Sequence, residues 1–199
     1  QLQTELKFLK SQYHPHFLFN ALNTVYFQID ESNKAPRRTL EMISELLRYQ
    51  LYGGNQKVSI LQEIDYLKTY IALRKLRMSE RLRLRVEFPP ELNELEIYPL
   101  LFLPLVENAF KYVGGDYQLD IIMKWENNRI SLFIRNSIPE LSAEDEALRK
   151  SVDERQRKGI GLVNLRRRLS LLYPNKHRLE TRKEETEFVA ELMIEIEDI

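Results

Sequence analysis

The chain has 199 residues, enough for one large domain or two small ones with a real core. Its 30 Lys and Arg balance 30 Asp and Glu, so no net field draws it to nucleic acid or to an anionic membrane surface. The absence of Cys excludes disulfides and thiolate metal sites, and no apolar run approaches the ~18 residues of a membrane span. The first residue is Gln, and we expect a piece of a longer protein with a segment upstream.

Residues 1–31 read as one helix. Leu2, Leu6, Leu9 and Tyr13 make a narrow stripe with the spacing of a coiled-coil seam. Pro15 lies inside that pattern. It either kinks the helix just before His16, by removing a hydrogen bond, or starts a second helix. The stretch Tyr13-His14-Pro15-His16-Phe17-Leu18-Phe19-Asn20-Ala21-Leu22-Asn23 is unusual. His16, Asn20 and Asn23 fall at i, i+4 and i+7 on one helical face, and large apolar residues cover the rest. A helix apolar nearly all round predicts burial on several sides, and a polar stripe kept there is costly unless paired or functional. Taken alone, His16 also fits a hydrogen-bonded core histidine.

A turn at residues 32–36 leads to a second helix over 36–51, with Leu40, Ile43 and Leu47 on one face and Arg37, Arg38, Glu41 and Glu45 on the other. Pro36 suits a first helical position, and Gly53-Gly54-Asn55 stops the run. Residues 59–79 predict a third helix. Ser59 and Gln62 have the spacing of a capping box, and Ile60, Ile64, Leu67 and Ile71 make its buried face. Two long amphipathic helices joined by a short turn cannot bury their stripes alone. The economical assembly is a homodimer whose paired hairpins form a four-helix bundle.

Near residue 81 the period changes from helical to alternating. Leu82, Leu84, Val86 and Phe88 alternate with Arg81, Arg83, Arg85 and Glu87, which predicts a half-buried strand with arginines on its solvent face, not a nucleic-acid patch. Residues 98–113 read as an apolar helix closed by Gly114-Gly115. Alternating strands follow at 117–125 and 129–136, turning at Glu126-Asn127-Asn128. A polar segment covers 137–158, an amphipathic helix 162–173, and a closing hairpin 179–183 and 187–196. The pattern predicts an α+β chain: an N-terminal helical hairpin with a connecting helix over residues 1–80, then a two-layer α/β sandwich over 81–199, with helices on one face of a mixed sheet.

Three motifs carry chemistry. The first is His-Pro-His-Phe-Leu-Phe-Asn-Ala-Leu-Asn at 14–23, preceded by Leu9-Lys10-Ser11-Gln12. The second is Leu105-Val106-Glu107-Asn108-Ala109-Phe110-Lys111, where Glu107 and Asn108 interrupt an apolar helix. An amide oxygen there suits Mg²⁺, which takes hard oxygen ligands, and Lys111, three residues on, shares the helix face and suits a phosphate. The third is Lys158-Gly159-Ile160-Gly161-Leu162-Val163-Asn164-Leu165. Two glycines ahead of a helix let the backbone come close to an anion at that helix's positive end.

The first motif closely resembles the phosphoacceptor box of the LytS-type (YehU-like) sensor histidine kinases. The second and third resemble the asparagine box and the Gly-Ile-Gly-Leu-x-Asn-x-x-x-Arg-Leu-x-x-x-Tyr segment of the Bergerat-type ATP-binding domain that these kinases share with gyrase and MutL. The resemblance covers almost the whole chain. It implies ATP-dependent autophosphorylation on His16 and transfer to an aspartate of a response-regulator partner. It implies a nucleotide site of Asn108, Lys111, Tyr112, Asn136, Gly159, Gly161 and Leu162, with Asn108 as the Mg²⁺ ligand and residues 140–158 as a lid over ATP. It further implies the cytoplasmic part of a bacterial membrane protein, anchored only through segments upstream.

The chain departs from the family in places. Asn136 stands where an Asp-x-Gly box is usual, with no glycine after it. Lys158 replaces a common glycine, and Tyr112 a common histidine. Other kinase classes have an acidic residue after the phosphoacceptor, whereas Phe17 follows His16. Asn20, on the same face, is expected to accept from one ring nitrogen and set the tautomer so that the other attacks. A nucleotide-poor pseudokinase that signals by conformation is the alternative these departures raise. A gyrase- or MutL-like ATPase would place a catalytic glutamate four residues before Asn108, where this chain has Pro104. A pure coiled-coil module leaves residues 98–173 unexplained.

Overall fold

The computed structural model describes residues 15–52, 56–90, 92, 95–140 and 160–196. The chain divides into two compact units, one of Gln1–Gln56 with Asp65–Arg77, the other of Lys57–Ile64 with Met78–Ile199. The coiled-coil stripe at 2–13, the Gly53-Gly54-Asn55 stop and the expected lid lie outside the described residues.

The first unit is helical. Helix α1 is described over Pro15–Gln28 and α2 over Lys34–Tyr52. Between them Asp30 Oδ1 accepts from Ser32 N at 2.8 Å and from the Ser32 hydroxyl, and these bonds hold the Asp30 carboxyl below its ordinary pKa. Pro36 sits at the third position of α2, not the first, still within the turn whose N–H groups have no helical acceptor. The two faces expected of α2 are corrected here. Met42 and Leu46 are its buried residues, while Leu40, Ile43 and Leu47 are half-buried. The charged side is the one that meets α1: the Arg37 guanidinium lies 4.6 Å from the Tyr26 ring centre, and Tyr26 donates to Glu41 Oε1 at 3.2 Å. Long side chains cover aromatic rings with their stems while their charges stay wet, so a polar face here is also a packing face.

Helix α3, Ile60–Lys75, starts in the second unit and continues in the first. Its N-terminus is capped as expected: Leu61 N donates to Ser59 Oγ, and Ser59 N to Gln62 Oε1, both at 3.2 Å. Ile60, Ile64, Leu67 and Ile71 are buried. In the first unit Tyr66 stacks on Tyr49 of α2 at 4.7 Å.

The second unit is a sheet with helices on one face. A small antiparallel pair, β1 (Val58–Ser59) and β3 (Glu96–Ile97), was not expected. The main sheet has β2 (Arg83–Glu87), β4 (Gln118–Glu126), β5 (Arg129–Ser137), β6 (His177–Lys183) and β7 (Glu187–Glu195) in the order β2-β4-β5-β7-β6. Only the β2–β4 pair is parallel among these, so the sheet is mixed. The β4–β5 turn is Asn127-Asn128, both with positive φ, 52° and 58°, the two-residue turn that matches strand twist. Leu119, Ile121 and Met123 of β4 and Ile130, Leu132 and Ile134 of β5 alternate into the core. Over them lies α4 (Leu103–Tyr112), which packs on β4 and β5, with α5 (Ile160–Leu172) against it.

Helix α4 is shorter than the expected 98–113. Residues 99–102 form turns and a bend, and Leu100 has φ of +60°. Leu101 and Phe102 are fully buried all the same, so apolarity continues where the helix does not.

Candidate active-site residues

In the first unit, His16 and Asn20 lie one turn apart on α1, both exposed. The Asn20 amide nitrogen lies 3.2 Å from His16 Nδ1, so the expected pair forms. Its polarity is the reverse of the expectation. An amide N–H at Nδ1 makes that nitrogen the acceptor and leaves the proton of a neutral ring on Nε2. Rotating the amide by a half turn would bring its carbonyl to Nδ1–H and strip Nε2 of its proton, the form that attacks. Asn23 is exposed, and Thr24 donates back to Asn20 O at 2.8 Å. The expectation of burial on several sides fails within one chain. No residue of α1 is buried, and Phe17 and Phe27 are 70% and 77% exposed. Helix α2 supplies cover on one side only, with Tyr52 stacked 6.2 Å from Phe19 and Arg48 over the same ring.

In the second unit, α4 turns Leu105, Val106, Ala109 and Phe110 inward and leaves Asn108 half-buried and Lys111 exposed. The Asn108 side chain makes no hydrogen bond to any described residue, and Lys111 rests its ammonium 5.0 Å from the Tyr112 ring centre. A hard oxygen donor and a cation thus sit one turn apart on the side of α4 away from the core. An amide oxygen is a suitable Mg²⁺ ligand beside phosphate oxygens and water, so the residue present fits that ion.

The end of α4 is tied to the strand that carries Asn136. Gly114 N donates to Ser137 O at 2.9 Å, and the Ser137 hydroxyl donates to Gly114 O at 2.6 Å while accepting from Gln118 N at 2.8 Å. A Cβ on Gly114 would lie 2.9 Å from the Pro139 ring. Gly115 has φ of +60°, and its Cβ would lie 2.9 Å from Ile138 O. Both glycines permit this close approach. Asn136 is buried, 1% exposed, and its amide nitrogen donates to Ser137 O at 3.3 Å. Its carbonyl oxygen is the end left to accept.

Gly161 lies in the first turn of α5, exposed, and a Cβ added to it would meet nothing within 4 Å. No described residue crowds that glycine. Leu162 is half-buried, whereas Leu165, Leu169 and Tyr173 form the buried stripe. Gly159 lies outside the described residues. Among the described residues no group of three or more His, Asp or Glu could hold a metal ion.

Sequence reasoning missed Ser137, whose hydroxyl joins the end of α4 to the start of β4, and Glu63, fully buried at the start of α3. The glycine pair was the one hint of the first. Glu63 read as an ordinary charge in a capped first turn, and nothing local announced its burial.

Residues 4–82 match the family model for histidine kinases. The chain is 29% identical over 180 residues to the sensor protein kinase HptS of Staphylococcus aureus (strain USA300), an alignment covering 88% of this chain and 35% of that protein. The chain thus spans about a third of the length of the curated relatives it matches. Its fold is similar to the histidine kinase domain of the Erythrobacter litoralis EL346 blue-light activated histidine kinase, with a TM-score of 0.50 and 14% identity over 88% of this chain and 93% of that one. Residues 4–82 are thus similar in sequence to histidine kinases, the chain as a whole to a sensor protein kinase, and its fold, helices with a mixed five-stranded sheet, to that of a histidine kinase domain.

Proposed function

We propose that this chain is the kinase portion of a two-component sensor, which phosphorylates itself on His16 and passes the phosphoryl group to an aspartate of a response regulator. The observation that carries the reading is the exposed His16 ring paired with Asn20 on α1, inside the stretch that matches the histidine kinase family. Residues 1–80 then serve phosphotransfer and dimerisation, and 81–199 hold ATP. Bound Mg·ATP supplies the phosphoryl group and the charge neutralisation its transfer needs. Asn108 Oδ1 offers the metal an oxygen, Lys111 meets phosphate charge, and the backbone around Gly159 and Gly161 approaches the phosphates at the start of α5. Asn136 accepts from the adenine amino group, beside Tyr112, with Leu162 flanking the base. Asn20, its carbonyl turned to Nδ1–H, keeps Nε2 free to attack in line. The work of these residues is placement and electrostatics.

The exposure of Phe17, Ala21 and Val25, at i, i+4 and i+8 on α1, supports a homodimer through the helical hairpins. No helix among the described residues is long and apolar enough to cross a membrane. We propose that the sensor reaches its membrane, on the cytoplasmic side, through segments beyond this sequence.

Incubation with γ-labelled ATP and Mg²⁺ tests the reading. Label is expected on the wild-type chain and none on His16→Ala; equal labelling of both would end it. Asn20→Ala should slow labelling by about 10- to 100-fold, the scale of a proton-positioning group, at unchanged ATP affinity. An unchanged rate would remove Asn20 from the mechanism. The pseudokinase reading is favoured by one observation, Asn136 in place of the usual aspartate, and micromolar Mg·ATP affinity in a titration would count against it.

A further inference from the structure

The turn that leads into α4 is held in an unfavourable conformation by a buried carboxylate and a half-buried guanidinium from different helices. Leu100 has φ of +60°, a left-handed conformation that a leucine keeps only where its surroundings over-determine it. Glu63, fully buried in the first turn of α3, accepts from Leu100 N at 2.8 Å. Arg168, on α5, donates to Leu100 O at 3.3 Å and to Pro99 O at 2.9 Å with its two terminal nitrogens. Tyr173, just past the end of α5, accepts from Tyr98 N at 3.2 Å and meets the Tyr98 ring edge-on. Loss of hydration pushes the Arg168 pKa down, and the charge of Glu63 opposes that shift. The guanidinium therefore gains from the Glu63 carboxylate as well as from the two carbonyls of the turn.

The position of this cluster matters more than its strength. Leu103, which opens α4, follows the turn directly, and Asn108 lies five residues further along the same helix. Gly161 and Arg168 are seven residues apart on α5, so they share a face two turns from one another. One turn beyond Glu63 on α3, the Tyr66 hydroxyl accepts from Gln50 Nε2 at 2.7 Å within the helical unit. A single turn of α3 is thus fixed at Glu63 within one unit and at Tyr66 within the other, and a helix transmits displacement along its own backbone.

We propose that Glu63 and Arg168 are positioning residues that couple the nucleotide site to α3, so that occupancy of the site and order in the first turns of α3 depend on each other. This rests on the reading that Asn108, Lys111 and Gly161 bind Mg·ATP. Coupling of this kind is reciprocal: whatever shifts α3 shifts nucleotide affinity by the same factor. Neither residue touches the reacting atoms. Arg168 holds the starts of α4 and α5 in one geometry, and Glu63 attaches that geometry to the helix that continues into the phosphoacceptor unit.

The test uses the whole chain, a fluorescent ATP analogue with Mg²⁺, and amide hydrogen exchange followed by mass spectrometry. In the wild type, saturating nucleotide should slow exchange over residues 60–67 by about fivefold or more. Arg168→Lys keeps the charge and loses the two-pronged reach to both carbonyls. It should bind nucleotide more weakly and lose the response at 60–67, while β4 and β5 exchange as in the wild type. Glu63→Gln keeps an acceptor for Leu100 N but leaves the Arg168 charge uncompensated, and it should lose the same response. Wild-type binding with no change over 60–67 overturns the coupling alone, as does a full response in both variants. No nucleotide binding by the wild type overturns the site reading, and the coupling with it.

Discussion

Helices α1 and α4 look alike in sequence and behave oppositely in the fold. Each carries large apolar residues interrupted by a few polar ones that the chemistry needs. Helix α4 buries Leu103, Leu105, Val106, Ala109 and Phe110 against the sheet and its neighbour, and its polar residues fall on the side left over. Helix α1 buries none of its residues, and among the described elements it packs against α2. An apolar face states a need for cover and does not say what supplies it. For α4 the same chain does so. For α1 the cover has to come from elsewhere, and we propose a second copy. The contrast suits the two tasks we propose, since a histidine that meets ATP and then a separate regulator would have to stay reachable, whereas a nucleotide site would gain from a rigid floor.

The largest expected effect separates the two regions by function. Asn108→Ala should abolish labelling and weaken Mg·ATP binding by at least about tenfold, the scale of a lost charge-assisted contact. His16→Ala should leave binding as it was. Weakened binding in the histidine variant, or intact binding in the asparagine variant, would show that the division is wrong.

Stability should divide in the same way. Leu105 is 2% exposed, and Leu105→Ala should destabilise the fold by about 2–5 kcal/mol in urea unfolding. Phe17→Ala, at a site 70% exposed, should change unfolding of the dilute monomer by less than about 0.5 kcal/mol, yet reduce self-association in sedimentation. A large stability loss from Phe17→Ala at dilution would mean that α1 is already covered within one chain.

Two glycines sharpen the comparison inside the second unit. Gly115→Ala meets both a positive φ and Ile138 O, and should destabilise by about 1–3 kcal/mol. Gly161→Ala has open space and a helical position, so stability should rise or hold within about 1 kcal/mol. Nucleotide affinity should fall all the same, because the added methyl occupies the approach to the phosphates. Unchanged affinity in Gly161→Ala would remove that glycine from the site.

Much of this was legible where the signal is local. Ser59 and Gln62 announced a capping box and form one, because both partners lie within a single turn. Alternation over 117–125 and 129–136 announced the strands that form over 118–126 and 129–137, and Glu126-Asn127-Asn128 announced the turn, which tightens to Asn127-Asn128 because few other residues accept a positive φ at both positions. The pairing of His16 with Asn20 followed from helical spacing alone, although which end of the amide faces the ring did not.

The amino-acid sequence by itself determined the two classes of segment, the helical caps and turns, and the three motifs with their spacing, because each depends on residues a few positions apart. Only the tertiary structure decided where α4 begins, which stripe of α2 is buried, how β1 finds β3, and that Glu63 and Arg168 meet at one strained turn. Those outcomes depend on partners as many as 105 residues apart, from Glu63 to Arg168, whose encounter no local pattern records. A leucine accepts a left-handed conformation at Leu100 only when distant charges make the alternative worse.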